Sequence, residues 1–135
     1  MRLQHLIIVR LENLLLLLAG IGLYWHLQYS WLTLCYLILI PDVAMVAYLV
    51  SNKAGALFYN LTHTFVLPLI LLAFYPLYPA VLLVVIAWII HISFDRALGY
   101  GLKSPQGFKI THLAAESTQS IKPVTGVHPD KSLAG

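Results

Sequence analysis

The sequence predicts an all-α integral membrane protein: an antiparallel four-helix bundle followed by a short cytoplasmic C-terminal segment and a disordered tail. Three observations predict it. Of the 135 residues, 60% are hydrophobic and only 10% charged, with a mean hydropathy of +0.84; a soluble domain carries about 25% charged residues. Four apolar stretches, at about residues 6–25, 31–50, 56–75 and 79–98, are each close to the roughly 20 residues that carry a helix across a bilayer. The connectors, at 26–30, 51–55 and 76–78, are so short that consecutive helices must lie side by side and antiparallel.

The elements follow in order. Arg2 precedes the first span as in a secretory signal, but Arg10, Glu12 and Asn13 interrupt the apolar run. No small-x-small cleavage site precedes Trp25, so the span is expected to be retained. Pro41 lies inside the second span and Pro68 inside the third; each removes a backbone donor and clashes with the preceding turn, which favours a kink. Gly99 and Gly101 end the fourth span, since two glycines in three residues favour a turn. Residues 1–113 therefore read as one transmembrane domain. From Ala114 the composition shifts to Ser, Thr, Lys, Pro and Gly without periodicity, so 114–135 read as a disordered cytoplasmic tail. The lone Cys35 gives no intramolecular disulfide and no thiolate zinc motif.

Charge predicts orientation. Arg2 and Arg10 lie at the start of span one, Lys53 between spans two and three, and Arg96, Lys103 and Lys109 at or after the end of span four. The other two connectors hold no Lys or Arg. By the positive-inside rule both termini and the Lys53 loop are cytoplasmic, which predicts a multi-pass membrane protein. Trp25, Tyr29 and Trp31, with Tyr75 and Tyr78, fit an aromatic belt at the outer face. The pI near 9.1 thus reports topology. Membrane lipid is the expected partner, and no basic stripe with interleaved aromatics points to nucleic acid.

Polar groups inside apolar spans are costly and concentrate where they pair, bind or react. Glu12, Asp42, Asn60, His63, His91 and Asp95 are such groups. Counted from the cytoplasmic edges at 1.5 Å per residue, Glu12, Asp42, His63 and His91 lie roughly 9–12 Å deep and Asp95 roughly 5 Å. They form a layer. His91 and Asp95 are i, i+4 on one helix face, with Trp88 a turn further along, and Asn60 and His63 are i, i+3. Plainer roles exist for single members: Glu12 pairing with Arg10 or Arg96, Asp42 capping a broken helix after Pro41, and Asn60 as a helix-to-helix contact.

Imidazole with carboxylate is the ligand set of zinc, manganese and non-haem iron sites, and helical bundles build such sites from inward-facing groups on facing helices. His63, His91, Asp95, His112, Asp42 and Glu12 are the candidate ligands for a divalent ion. Asp42 and Glu12 are also the candidate general base and proton carrier. Asn60, Arg96 and Lys103 are the candidates for supporting the ligands or holding a phosphate or carboxylate head group. The stretch through Phe108, Thr111 and His112 is either an apolar lid folded beneath the bundle or an interfacial segment with Lys103 and Lys109 on anionic lipid.

The elements Arg10-Leu11-Glu12, Pro41-Asp42, Tyr59-Asn60-x-x-His63, His91-x-x-x-Asp95-Arg96-x-x-Gly99-Tyr100-Gly101-Leu102-Lys103 and Phe108-x-x-Thr111-His112-Leu113 resemble a small bacterial membrane family, domain of unknown function 4260. The resemblance covers about residues 5–113, is most specific from His91 to His112, and implies an integral membrane protein without an assigned activity. More distantly, the His and Asp usage is similar to that of the membrane-bound metal-dependent hydrolase-like proteins. This sequence lacks the second histidine beside His63 expected there.

A metal-dependent hydrolase acting on a lipid-like or membrane-proximal substrate is the leading functional expectation. The alternatives are a redox module with a haem held by His63 and His91, and a small transporter or structural membrane subunit. The spans show no internal symmetry of the kind transporters use.

Overall fold

The computed structural model describes residues 2–104 and 107–111. It is helical apart from one short hairpin: α1 (Arg2–His26), α2 (Trp31–Leu37), a 3₁₀ segment (Pro41–Leu49), α3 (Asn52–Thr62), α4 (Val66–Leu72), α5 (Val81–Leu98), β1 (Lys103–Ser104) and β2 (Gly107–Thr111). Three stretches, Leu3–His26, Trp31–Leu49 and Val81–Leu98, are long and apolar enough to cross a membrane; the bent pair α3–α4 makes a fourth if it counts as one span. Their apolar faces are largely bare, including Leu15, Leu18, Leu39, Val43, Leu57 and Leu69. Water is a poor solvent for such a surface, and the helices suggest membrane insertion.

One expected span changes its winding and another is bent, and prolines account for both. Pro41 cannot donate to the carbonyl of Leu37, which accepts instead from the Ile40 amide at 3.1 Å. The helix therefore tightens into a 3₁₀ run of 9 residues, well beyond the 3–4 usual for that geometry. The stretch expected as one span over 56–75 is instead α3 and α4, which bend by 46° across residues 63–65. Pro68 is buried, and its ring would collide with the carbonyl of Thr64, four residues back, if the helix ran straight.

The breaks are supported locally. Ser51 caps α3 by accepting from the Ala54 amide at 3.0 Å, and Ser30 caps α2 from Thr33 at 3.5 Å. At the far end of α5, Gly99 takes the left-handed conformation (φ 95°), and the Tyr100 amide reaches back to the Asp95 carbonyl at 2.8 Å. The Arg10 guanidinium lies against this glycine, so an added side chain would have to displace it as well as bear the strain of the positive φ.

Helix α5 is the axis of the fold, packed against α1, α2 and α4, while α3 packs against the 3₁₀ segment. Gly20 of α1 faces Ile90, and Arg10 faces Gly99, so α1 and α5 run antiparallel. Tyr24, Ile86 and Ile90 form the apolar centre of that contact. Tyr24 is fully buried and donates its hydroxyl to the Ser30 carbonyl at 2.7 Å.

The chain after α5, expected as a lid or an interfacial segment, forms the antiparallel hairpin β1–β2, with Lys103 opposite Thr111. Asn60 fixes it to α3. Its amide donates to the Lys103 carbonyl at 2.9 Å and accepts from the Lys103 amide at 2.6 Å. One side chain thus occupies both backbone positions that a neighbouring strand would fill.

Candidate metal centre

The broken helices and α5 meet at one point. Asp42 is the second residue of the 3₁₀ segment, His63 is the residue on which α3 ends, and His91 and Asp95 project from successive turns of α5. His63 Nε2 stands 3.3 Å from Asp42 Oδ1 and 3.6 Å from Asp95 Oδ2. His91 Nε2 stands 3.5 and 3.6 Å from the same two oxygens. The two imidazole Nε2 atoms are 3.0 Å apart. Asp42, His63 and His91 lie close enough together to hold a metal ion.

These separations have a simple geometric meaning. Donors placed 2.0–2.2 Å from a tetrahedral zinc-like ion stand roughly 3.3–3.6 Å from one another. The five separations above run from 3.0 to 3.6 Å. Asp42, His63 and His91 are thus already near the spacing of a single ion's shell, and Asp95 stands against both histidines.

The orientation of His63 is set from behind. Its Nδ1 lies 2.9 Å from the Tyr59 carbonyl oxygen. A carbonyl can only accept, so the proton sits on Nδ1, and the neutral ring turns its Nε2 lone pair to the cluster. Metal-binding histidines are commonly held in this way. The Thr62 hydroxyl stands 3.0 Å from the same Nδ1, with the Tyr59, Phe58 and Pro41 carbonyls at 3.0, 3.1 and 3.2 Å as acceptors for its one proton. The Tyr59 ring stacks on the His63 ring at 3.7 Å between centroids and 12° between planes. Its hydroxyl reaches Asp95 Oδ2 at 3.5 Å.

Carbonyls freed by the break in α3–α4 are taken up by α5. The Trp88 indole donates to the Thr62 carbonyl at 2.7 Å, and Arg96 Nη2 donates to the His63 carbonyl at 3.1 Å. In a medium without water such groups must find protein partners. Access is one-sided: the side chains of His63 and His91 are 3% and 8% exposed, those of Asp95 and Asp42 21% and 42%. On that rim the Lys103 ammonium sits 5.0 Å from the centroid of the Tyr59 ring. Burial pushes the ammonium below the usual lysine range, while Asp95 and Asp42 act in the opposite sense.

Of the residues singled out from sequence, the structure brings Asp42, His63, His91 and Asp95 together, with Asn60, Arg96 and Lys103 around them. Glu12 is not brought in: it is exposed on α1, and none of the ion pairs of the cluster involves it. Arg96 donates to the His63 backbone carbonyl at 3.1 Å, where pairing with Glu12 was one expectation. His112 lies outside the described residues. Tyr59 and Thr62 had no assigned role, although Tyr59 precedes His63 by four residues and so shares its helix face.

No curated protein and no solved structure matches the chain. One family model does, over residues 6–115. The chain belongs to the family described as a domain of unknown function, DUF4260.

Proposed function

We propose that the chain is a membrane metalloenzyme, a hydrolase whose single divalent ion is held by His63, His91, Asp42 and Asp95. The observation that carries the reading is the grouping of Asp42, His63 and His91 within reach of one ion, with Asp95 against both histidines and the His63 lone pair turned toward the group by the bond from Nδ1 to the Tyr59 carbonyl. An imidazole and carboxylate set suits zinc, manganese or iron. Such an ion polarises an ester and lowers the pKa of water, which makes hydrolysis accessible at neutral pH.

Each residue then has a task. The histidines, nearly closed off, hold the ion. Asp42, the most exposed donor, would be the carboxylate open to an incoming water and able to take its proton. Asp95, braced by the Tyr59 hydroxyl, stays as the fixed anionic donor. On this reading the chain has four antiparallel spans, with α3–α4 counted as one, and the positive-inside orientation of its loops sets this layer in the cytoplasmic half of a bacterial inner membrane. Residues 1–113 form the membrane domain and 114–135 its cytoplasmic tail. A lipid-like substrate would reach the carboxylate rim from the inner leaflet.

The haem alternative draws no support from this geometry. A bis-histidine haem needs a porphyrin plane between two opposed nitrogens, and here both carboxylate oxygens lie within 3.6 Å of both Nε2 atoms. A transporter or structural subunit has no specific contact in its favour. Elemental analysis of the detergent-purified protein, offered zinc, manganese and iron without chelator, tests the reading. One ion per chain and no visible haem band are expected, and failure to retain any of the three metals removes its basis.

A further inference from the structure

Two cations flank the carboxylate rim, and neither is a ligand. Arg96 is part-buried one residue beyond Asp95. Its hydrogen bond within the described residues goes to a neutral acceptor, the His63 carbonyl, at 3.1 Å, through a single nitrogen. A guanidinium has five N–H donors in a planar fork, and one such bond leaves most of them for other partners. Lys103 reaches the same rim from β1, its ammonium over the Tyr59 ring whose hydroxyl contacts Asp95.

Charge decides what such a rim attracts. Without an ion, Asp42 and Asp95 are balanced in number by Arg96 and Lys103. A divalent ion adds two positive charges to that rim, beside a shell whose most exposed ligand can be displaced. Excess positive charge in a low-dielectric setting draws an anion, and an arginine fork with a lysine beside it matches the tetrahedral oxygens of phosphate.

The geometry points to a phosphoryl-binding subsite formed by Arg96 and Lys103 beside Asp95 and Tyr59, at the rim of the metal centre. It rests on the metal reading above and narrows the substrate class to a phosphate-bearing molecule, either a lipid headgroup or a water-soluble phosphate. The fold makes Lys103 a clean probe. Asn60 grips its main chain on both sides, so a change of side chain leaves the hairpin anchored while removing the charge.

The test uses the full chain in phosphatidylcholine nanodiscs, loaded with cobalt(II) and assayed for metal content. Inorganic phosphate is added in one arm, and phosphatidic acid is built into the disc in the other. The readouts are the visible cobalt spectrum and equilibrium dialysis with radiolabelled phosphate. At least one arm should shift the spectrum, with phosphate alone marking a soluble ligand and phosphatidic acid alone a lipid. Lys103→Gln should keep one cobalt per chain and weaken the effective arm by at least tenfold, and Arg96→Gln should weaken it further. Full cobalt with no response in either arm, or an unchanged response in Lys103→Gln, overturns the subsite and leaves the metal reading standing. If no cobalt binds, the metal reading falls by itself. Phosphate binding to the metal-free protein that still depends on Lys103 then upholds the subsite, and its absence removes that too.

Discussion

Replacing His91 by alanine tests the centre most directly, because its effect divides into two parts that respond differently to metal. Truncating a buried ring costs packing with or without an ion. Only the second part, the lost donor, depends on metal. Structural zinc sites bind with about 10–16 kcal/mol; shared over four donors, one histidine accounts for roughly 2.5–4 kcal/mol, or about two to three orders of magnitude in Kd. An ion present at about 1,000 times its Kd stabilises the native state by about 4.1 kcal/mol. After a hundredfold loss the same concentration is about ten times the new Kd and contributes about 1.4 kcal/mol. The gap in stability between loaded and chelated protein should therefore shrink by about 2.7 kcal/mol, while the chelated forms differ by the packing cost alone. Thermal unfolding with zinc and with chelator, for wild type and His91→Ala, measures both gaps. Asp95→Asn keeps shape but removes an anionic donor, and it should shrink the gap with little change in the chelated protein. Equal gaps in wild type and His91→Ala, or no gap in wild type, would refute the assignment. The two Nε2 atoms 3.0 Å apart would then be a hydrogen-bonded pair locking α3 to α5.

Four further outcomes follow from the same contacts. Asn60→Ala removes both bonds to the Lys103 backbone and should cost about 1–3 kcal/mol, with faster amide exchange at Lys103 as the local signature. Trp88→Phe leaves the Thr62 carbonyl at the helix break without its indole donor and should lower stability by about 1–3 kcal/mol in thermal unfolding. Gly55→Ala would drive a methyl into the Tyr48 ring, whereas Gly22→Ala meets open space; the first should destabilise by about 1–3 kcal/mol and the second should be neutral or slightly favourable. Reporter fusions at Ser30 and Tyr78 should read outside and those at Lys53 and Ala115 inside, and a reversed pair would overturn the proposed orientation.

How far the centre was legible depends on which helical coordinate a residue reveals. Depth along an axis follows from counting, and it gathered Asp42, His63 and His91 correctly into one layer. Azimuth does not follow from depth, and Glu12 shows the consequence. It misses on both coordinates: the contacts of Gly20 with Ile90 and of Arg10 with Gly99 put it level with the end of α5, beyond Asp95, and it is exposed, while Asn13, turned about 100° from it, is buried. The buried positions Leu6, Asn13 and Tyr24, with half-buried Gly20 between them, recur at seven-residue and four-residue steps. That stripe was present in the sequence and excludes Glu12 from the inward face. The prolines gave the breaks their places, but not that one would become a long 3₁₀ run. The hairpin had no periodic signal. Its anchor is a side-chain amide 43 residues away from the strand it binds, a pairing no local pattern encodes.

The arrangement also explains why ligands appear where helices fail. Asp42 follows Pro41 at the start of the 3₁₀ segment, and His63 ends α3; only α5 runs unbroken through the centre. A broken helix frees carbonyls, and each one left unpaired away from water costs about 1–3 kcal/mol or more. Here α5 supplies the repairs from positions interleaved with its ligands. Trp88 lies one turn before His91, and Arg96 lies beside Asp95. One rigid helix thus sets both the spacing of the donors and the closure of the break that presents His63. A change that shifts α5 along its axis would disturb the two together. In the chelated protein, loss of Trp88 or Arg96 should therefore cost more than the hydrogen bond it removes, because His63 would lose its fixed position. Metal binding should recover part of that cost by holding His63 from the other side.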